Sequence, residues 1–199
     1  MINYILSIIL ILFFIPADLA YALSRNERDS IKADLEIYLK ESQFKKKNVF
    51  FLNYILLKDK SFRNVFYYRI DKHKILKGIS KVFFKPVISI EIEGKIGAGL
   101  RIPHNFCVIA LDRAGDNLCV GPGVVIGFGE PNAERGDRLS PILGNNIEIG
   151  ANSTVFGPIN IGDNVIIGAG AVVNKDVPSN SVVVGNPMRI IRRNEDINS

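Results

Sequence analysis

Tryptophan is absent from this 199-residue chain, and histidine, cysteine and methionine occur twice each. Two lone cysteines, Cys107 and Cys119, make no disulfide framework and no zinc-ligand spacing. They read as small buried apolar residues. Aromatics are 9% of residues against 47% hydrophobic, so the core must be mostly aliphatic. Val and Ile dominate the second half, which favours strands. The length suits one ordinary domain plus an appendage.

Acidic residues are scarce in one part of the chain. Residues 24–86 hold 16 Lys and Arg against 7 Asp and Glu, whereas residues 87–199 hold 9 against 12. A basic segment and a slightly acidic one expect different surroundings. No Lys or Arg precedes the apolar run Tyr4–Ile15, so a secretory signal is disfavoured, although Ala20-Tyr21-Ala22 fits a cleavage site. Twelve helical residues cover about 18 Å, short of a bilayer core of about 30 Å. Pro16 and Asp18 interrupt the run before Leu19–Leu23 resumes it. Residues 1–23 are therefore expected to lie at a membrane as a re-entrant or interfacial helix, with a protein-packing helix as the alternative.

Residues 24–86 are expected to be helical. Ser30 offers an N-cap, and Ile31, Leu35 and Leu39 follow at helical spacing. Lys58, Lys60, Arg63 and Arg69 flank the aromatic group Phe66, Tyr67 and Tyr68. Beside an apolar run, that pattern favours anionic headgroups over nucleic acid. His73, in Asp-Lys-His-Lys, reads as part of a solvated face.

The second half repeats at a step of six. Ile90, Ile96, Ile102, Val108, Ala114, Val120 and Ile126 form one series; Leu143, Ile149, Val155, Ile161, Ile167 and Val173 form another. Four residues after these come Leu100, Phe106, Leu118, Val124, Ile147, Ser153, Ile159, Val165 and Ala171 as second inward positions. Neither a helix nor a simple strand has that period. A fixed short repeat means stacked coils, here triangular turns of three hexapeptides. Gly after the aliphatic suits the corner. The prism needs covers at its ends, which the basic helices and the tail from Pro187 can supply. From Ile126 to Leu143 the step is 17, and Phe128–Ile142 is polar with Gly and Pro, so it is expected to be a projecting loop. The expected organisation is 1–23, 24–86, a coil over 87–186 with a loop at 128–142, and a tail over 187–199.

These motifs resemble the hexapeptide-repeat acyltransferases, and most of all the serine acetyltransferase group, including members associated with surface polysaccharides. The resemblance rests on Phe62–Arg69, Lys95-Ile-Gly-Ala-Gly, Ile102-Pro-His-Asn, Ile167-Gly-Ala-Gly-Ala-Val-Val, Lys175-Asp-Val-Pro and Val184-Gly-Asn-Pro-Met-Arg-Ile-Ile. It implies a mainly β chain whose parallel β-helix is left-handed, preceded by helices. It also implies homotrimers with sites between neighbouring prisms, and acetyl-CoA as co-substrate with no metal.

Acetyl transfer to an alcohol needs a base, a bound thioester and oxyanion donors. His104 is the one histidine in the repeat and, by the resemblance, matches the family's catalytic base, a role for which histidine is the usual side chain. Ser89 stands where the family has an orienting acid, so Glu91 or Glu93 is the substitute, with Glu91 the first choice. Ala151 and Ala169 match pantetheine contacts, and Asn174, Lys175 and Arg192 match positions near the nucleotide. Gly127 and Gly129 are candidate oxyanion amides. The family's second histidine lies in an Asp-Arg-His-Pro stretch, which here reads Asp137-Arg138-Leu139-Ser140-Pro141.

The expected function is O-acetylation of a hydroxyl, first of a sugar in a surface polysaccharide, at the cytoplasmic face of the inner membrane. The alternatives are serine O-acetylation in cysteine synthesis and a non-enzymatic β-helix scaffold. A related β-helical carbonic anhydrase needs three histidines per zinc, and two histidines exclude it.

Overall fold

The computed structural model describes residues 2–39, 49–104, 106–131 and 133–192. The chain divides into two compact units, Met1–Val87 and Ile88–Ser199.

The first unit is helical: α1 (Ile2–Leu23), α2 (Arg28–Leu39), α3 (Val49–Lys58), α4 (Lys60–Arg69) and α5 (Lys74–Phe83). α1 runs through Pro16 without ending. A proline inside a helix removes one hydrogen bond, and packing on one side offsets that loss. Phe14, Ala17 and Ala20 are buried in the core, with Phe14 stacked on Phe84 at 4.7 Å. Asp18 accepts from Asn53 Nδ2 at 3.2 Å, and burial holds its carboxyl above the usual carboxylate range, partly offset by that amide. α2 begins at Arg28, so Ser30 lies inside the helix and is not its cap. Ile31, Leu35 and Leu39 are buried as their spacing predicts. α4 is capped by Asp59, whose carboxylate accepts from Phe62 N at 2.9 Å. Within the helical core, Asp34 and Arg69 are both buried and paired in a fork: Nε donates to Oδ2 at 2.7 Å and Nη2 to Oδ1 at 3.1 Å.

The second unit is a parallel coil. Its strands are β1 (Ile90–Ile96), β2 (Cys107–Ala114), β3 (Leu118–Val120), β4 (Val124–Gly127), β5 (Ile142–Leu143), β6 (Ile147–Ile149), β7 (Thr154–Phe156), β8 (Asn160–Ile161), β9 (Ile166–Ile167), β10 (Val172–Val173), β11 (Ser181–Val184) and β12 (Arg189–Arg192). They form three faces. The first face stacks the start of β1 and of β2 on β4, β7 and β10. The second stacks the ends of β1 and β2 on β5 and β8, and continues through an Ile161–Val177 bridge. The third runs from an Arg101–Cys119 bridge through β6 and β9 to β11. β12 pairs antiparallel on β11, so the tail closes the edge of the last coil.

The inward positions are aliphatic, as the repeat predicts, with one correction. Val108 is half-buried and Phe106 exposed, whereas Cys107 and Ile109 are fully buried. The register explains it. Arg101 pairs with Cys119, a step of 18, but Cys107 pairs with Val124, a step of 17. The corner between them carries one residue more than the corner beneath it. Since side chains alternate along a strand, one residue reverses which ones point inward. β2 regains the register through a bulge opposite Glu93–Lys95.

One edge of the prism, between the second and third faces, is an asparagine ladder. Asn117, Asn146, Asn164 and Asn180 all have φ between 55° and 62°. Each amide donates to the next at 2.9–3.0 Å. Asparagine tolerates this left-handed backbone better than other non-glycine residues. Beside it Asp116, Asn145, Asp163 and Ser179 cap backbone amides of the adjacent coil.

Replacing Asp34 with alanine strands a buried guanidinium. Urea denaturation followed by circular dichroism is expected to show a loss of about 3–5 kcal/mol in the helical unit; a loss within experimental error would refute the pair's importance.

Candidate active site

The corner between the third and first faces recurs in each coil. Corresponding positions are the Pro103–Phe106 segment with His104, then Pro122, Ala151 and Ala169. The hydrogen bonds fix this column: Gly123 N donates to Phe106 O at 2.7 Å, Asn152 N to Pro122 O at 2.8 Å and Gly170 N to Ala151 O at 2.8 Å. Close stacking needs small residues here. A Cβ on Gly150 would stand 2.6 Å from Ala169 N, and one on Gly121 would stand 3.0 Å from Ala151 N. Ser153 reinforces the same column from inside, its hydroxyl 2.8 Å from Gly150 O and 2.9 Å from Gly168 O.

His104 is exposed on this edge, in the corner that carries the extra residue. Among the described residues no hydrogen bond or ion pair engages its ring. Asn105, the last residue of the Ile102–Asn105 motif, lies outside the described residues. Ala151 is half-buried and Ala169 exposed. Their N–H groups have no partner among the described residues, whereas the neighbouring Gly150, Asn152, Gly168 and Gly170 N–H groups are all used in the ladder. Pro122, one coil nearer His104, has no N–H to offer. The edge therefore presents a histidine and, two and three coils away, two free backbone donors.

Glu91 and Glu93 point outward from β1 and are exposed. Glu91 stands opposite Val108, and neither carboxylate hydrogen-bonds His104 among the described residues. The backbone of Ser89 meets the end of the His104 corner instead, its carbonyl accepting from Cys107 N at 3.1 Å.

Asn174 and Lys175 lie on a different edge, across the width of the first face. With Asp176 they line a cavity of about 550 Å³, whose other walls come from Gly129–Pro131, Arg135 and Phe156–Ile159. The inserted loop closes it. Register shows the size of the insertion: Val125 pairs with Thr154, a step of 29, where the next coil steps 18 from Thr154 to Val172. The loop projects, as its composition predicts, but it is also tied back onto the coils below. Arg135 forms a fork with Asp176 at 2.8 and 2.7 Å and donates to Pro158 O at 2.8 Å. Arg138 donates to Pro158 O and to Asn160 Oδ1, both at 2.8 Å. The hydrogen bond from Arg135 holds the Asp176 carboxyl below the usual carboxylate range.

Gly129 is not a free oxyanion donor: its N–H is spent on Leu139 O at 2.8 Å inside the loop. Leu139 is partly exposed at 40%. Arg192 lies on β12 opposite Ser181, which puts its backbone on the last coil. Its side chain and residues 193–199 lie outside the described part. Among the described residues no group of three or more His, Cys, Asp and Glu is placed to hold a metal ion.

The Arg135–Asp176 clamp was not legible in the sequence. No local spacing links two opposite charges 41 residues apart. The cavity's Phe156–Pro158 corner carries a weak signal, because Phe156 stands where the aliphatic-glycine pattern of its neighbours puts glycine. Gly129 packs so closely on Gly157 that a Cβ would lie 2.6 Å from the Gly157 Cα.

Two outcomes follow for the loop. Asp176→Asn is expected to raise hydrogen–deuterium exchange across residues 128–141. In the native chain the clamp contribution is present above the ordinary carboxylate pKa and is lost as pH falls through the depressed Asp176 value. Exchange there that is indifferent to both the substitution and acid would refute the clamp.

No family model matches the chain. It is similar to curated serine acetyltransferases over part of its length. With the enzyme of Synechococcus elongatus it is 39% identical over 108 residues, 53% of this chain and 43% of that protein. With that of Staphylococcus aureus it is 38% identical over 129 residues, 63% of this chain and 59% of that one. The chain thus spans about half the length of the curated relatives it matches. In fold it is similar to the Neisseria gonorrhoeae serine acetyltransferase solved in complex with serine, with a TM-score of 0.65 and 27% identity, over 86% of this chain and 72% of that one. A serine acetyltransferase solved with CoA matches at TM-score 0.61 and 22% identity, over 87% of this chain and 73% of that one. The chain is serine acetyltransferase-like, and its coil is the left-handed parallel β-helix of those structures.

Proposed function

We propose that this chain transfers the acetyl group of acetyl-CoA to a hydroxyl, with His104 as the base. The observation that carries the reading is the single edge holding an exposed histidine and the unpaired N–H groups of Ala151 and Ala169. The pantetheine arm has amide carbonyls, and free backbone donors along an edge suit them. Lys175 supplies a cation for the phosphates of the nucleotide end. The fit is chemical: donors for carbonyls, a cation for phosphate, and a base beside the thioester end.

In the reaction, neutral His104 takes the proton of the acceptor hydroxyl as its oxygen attacks the thioester carbon. The C–S bond then breaks, and the CoA thiolate leaves with the proton His104 held. His104 returns neutral, and no second nucleophile is needed.

Ala151 and Ala169 stand on one edge and Asn174 and Lys175 on the next, so a single prism does not bring the whole set together. A site shared between neighbouring copies would join them, in keeping with the homotrimer that the resemblance implies. An orienting carboxylate for His104 is then sought on the neighbouring copy rather than at Glu91.

For the acceptor, the similar proteins above are named for serine and none of them for a sugar, which supports L-serine first. Leu139 favours a second reading. It stands where the resemblance expects a histidine, and an aliphatic side chain cannot hydrogen-bond the polar groups of an amino acid. A hydroxyl acceptor other than serine, such as a sugar, fits that substitution.

The test is CoA release from acetyl-CoA with L-serine and with nucleotide sugars. Serine turnover is expected to exceed that with sugars, and His104→Ala is expected to lower it by about 10²–10⁴-fold. Leu139→His is expected to raise kcat/KM for serine. Preference for a sugar would shift the reading to the second acceptor. No CoA release with any hydroxyl acceptor would leave a non-enzymatic scaffold, and turnover unaffected by His104→Ala would refute His104 as the base.

A further inference from the structure

The helical unit exposes its aliphatic side chains in stripes. On α1, Leu12, Ile15, Leu19 and Leu23 are exposed, while Phe14, Ala17 and Ala20 on the opposite side are buried. On α5, Ile75 is 79% exposed and Val82 68%, with Ile79 and Phe83 exposed beside them. Ser80 and Phe84 of the same stretch face the core. The Phe83 ring packs on Phe13 of α1 at 4.8 Å, so the two stripes belong to adjoining helices. Single exposed leucines are ordinary, but two neighbouring stripes are not.

The charge around α5 is one-sided. Residues 71–85 carry Lys72, Lys74, Lys77, Lys81 and Lys85 with Asp71 as the single acid, and Lys74 and Lys77 both pair with it. Lys72, Lys74 and Lys85 are exposed. Lysine stems lie along apolar surface while their ammonium groups reach phosphate. Among the described residues no helix is long and apolar enough to cross a membrane.

We propose that α1 and α5 form a face that lies on an anionic membrane surface, the aliphatic stripes among the acyl chains and the lysines at the headgroup phosphates. Charge selects this occupant. A second copy of the unit would set one lysine-rich segment against another, since residues 24–86 hold 16 Lys and Arg against 7 Asp and Glu. Anionic lipid satisfies both features of the face at once. The inference stands apart from the acetyl-transfer reading.

The test is flotation of the full chain with vesicles of phosphatidylcholine alone and of phosphatidylcholine mixed with phosphatidylglycerol. The chain is expected to float with the anionic vesicles only and to be released by high salt. Combined Ile75→Ser, Ile79→Ser and Val82→Ser is expected to weaken partitioning about tenfold or more. Combined Lys72→Gln, Lys74→Gln and Lys85→Gln is expected to do the same with unchanged circular dichroism. If the serine variant fails to fold, the glutamine variant and the salt series decide. Failure to float with either vesicle overturns the proposal. So does flotation indifferent to the lysines, or a changed sedimentation coefficient in place of changed flotation, which would mark a protein interface.

Discussion

The hydrogen-bond ladder between successive coils constrains everything else in the repeat unit. Parallel stacking brings each corner down on the next at strand spacing. There is no room for a side chain where the chain turns inward of its neighbour, which is why Gly121 and Gly150 sit above Ala151 and Ala169. The same constraint leaves donors free at the corners. Corner residues that turn outward leave an N–H unspent while those on either side are consumed by the ladder. Ala151 and Ala169 are such residues, and they share an edge with His104 because the coil repeats.

The edge is regular except where chemistry is proposed. One extra residue at the first corner, between Ile102 and Cys107, displaces His104 from the ladder and turns Phe106 out to solvent. A longer insertion between Gly127 and Ile142 builds the wall of the cavity beside Lys175. Regular coils supply rigidity, and the two irregularities hold the proposed base and a pocket.

Much of this was legible in the sequence. The six-residue period identified the coils, the inward aliphatics and the position of the loop, because burial on a flat strand leaves a strict alternation. The register at Val108 was misread, since an added residue at one corner and a bulge in β2 cancel over twelve positions and hide each other in a count of sixes. What failed entirely was pairing across distance: Arg135 with Asp176, and the spending of Gly129 N–H on Leu139. In the helical unit α1 continues through Pro16, whose local cost is overridden by packing of Phe14, Ala17 and Ala20. Leu139 was legible as a departure only through the resemblance, because no spacing in the loop itself calls for a histidine there.

In the proposed site the glycine corners align free amides into an edge that binds CoA. The decisive experiment is calorimetric titration of CoA into the native chain, Gly150→Ala and Gly144→Ala. Both substitutions press a Cβ onto the coil beneath: against Ala169 N at 2.6 Å for Gly150, and against Asp163 Oδ1 at 2.4 Å on the asparagine edge for Gly144. The native chain is expected to bind CoA, Gly150→Ala to weaken binding by about tenfold or more, and Gly144→Ala to leave it near the native value. No binding by the native chain, or equal losses in the two variants, would contradict the proposed edge.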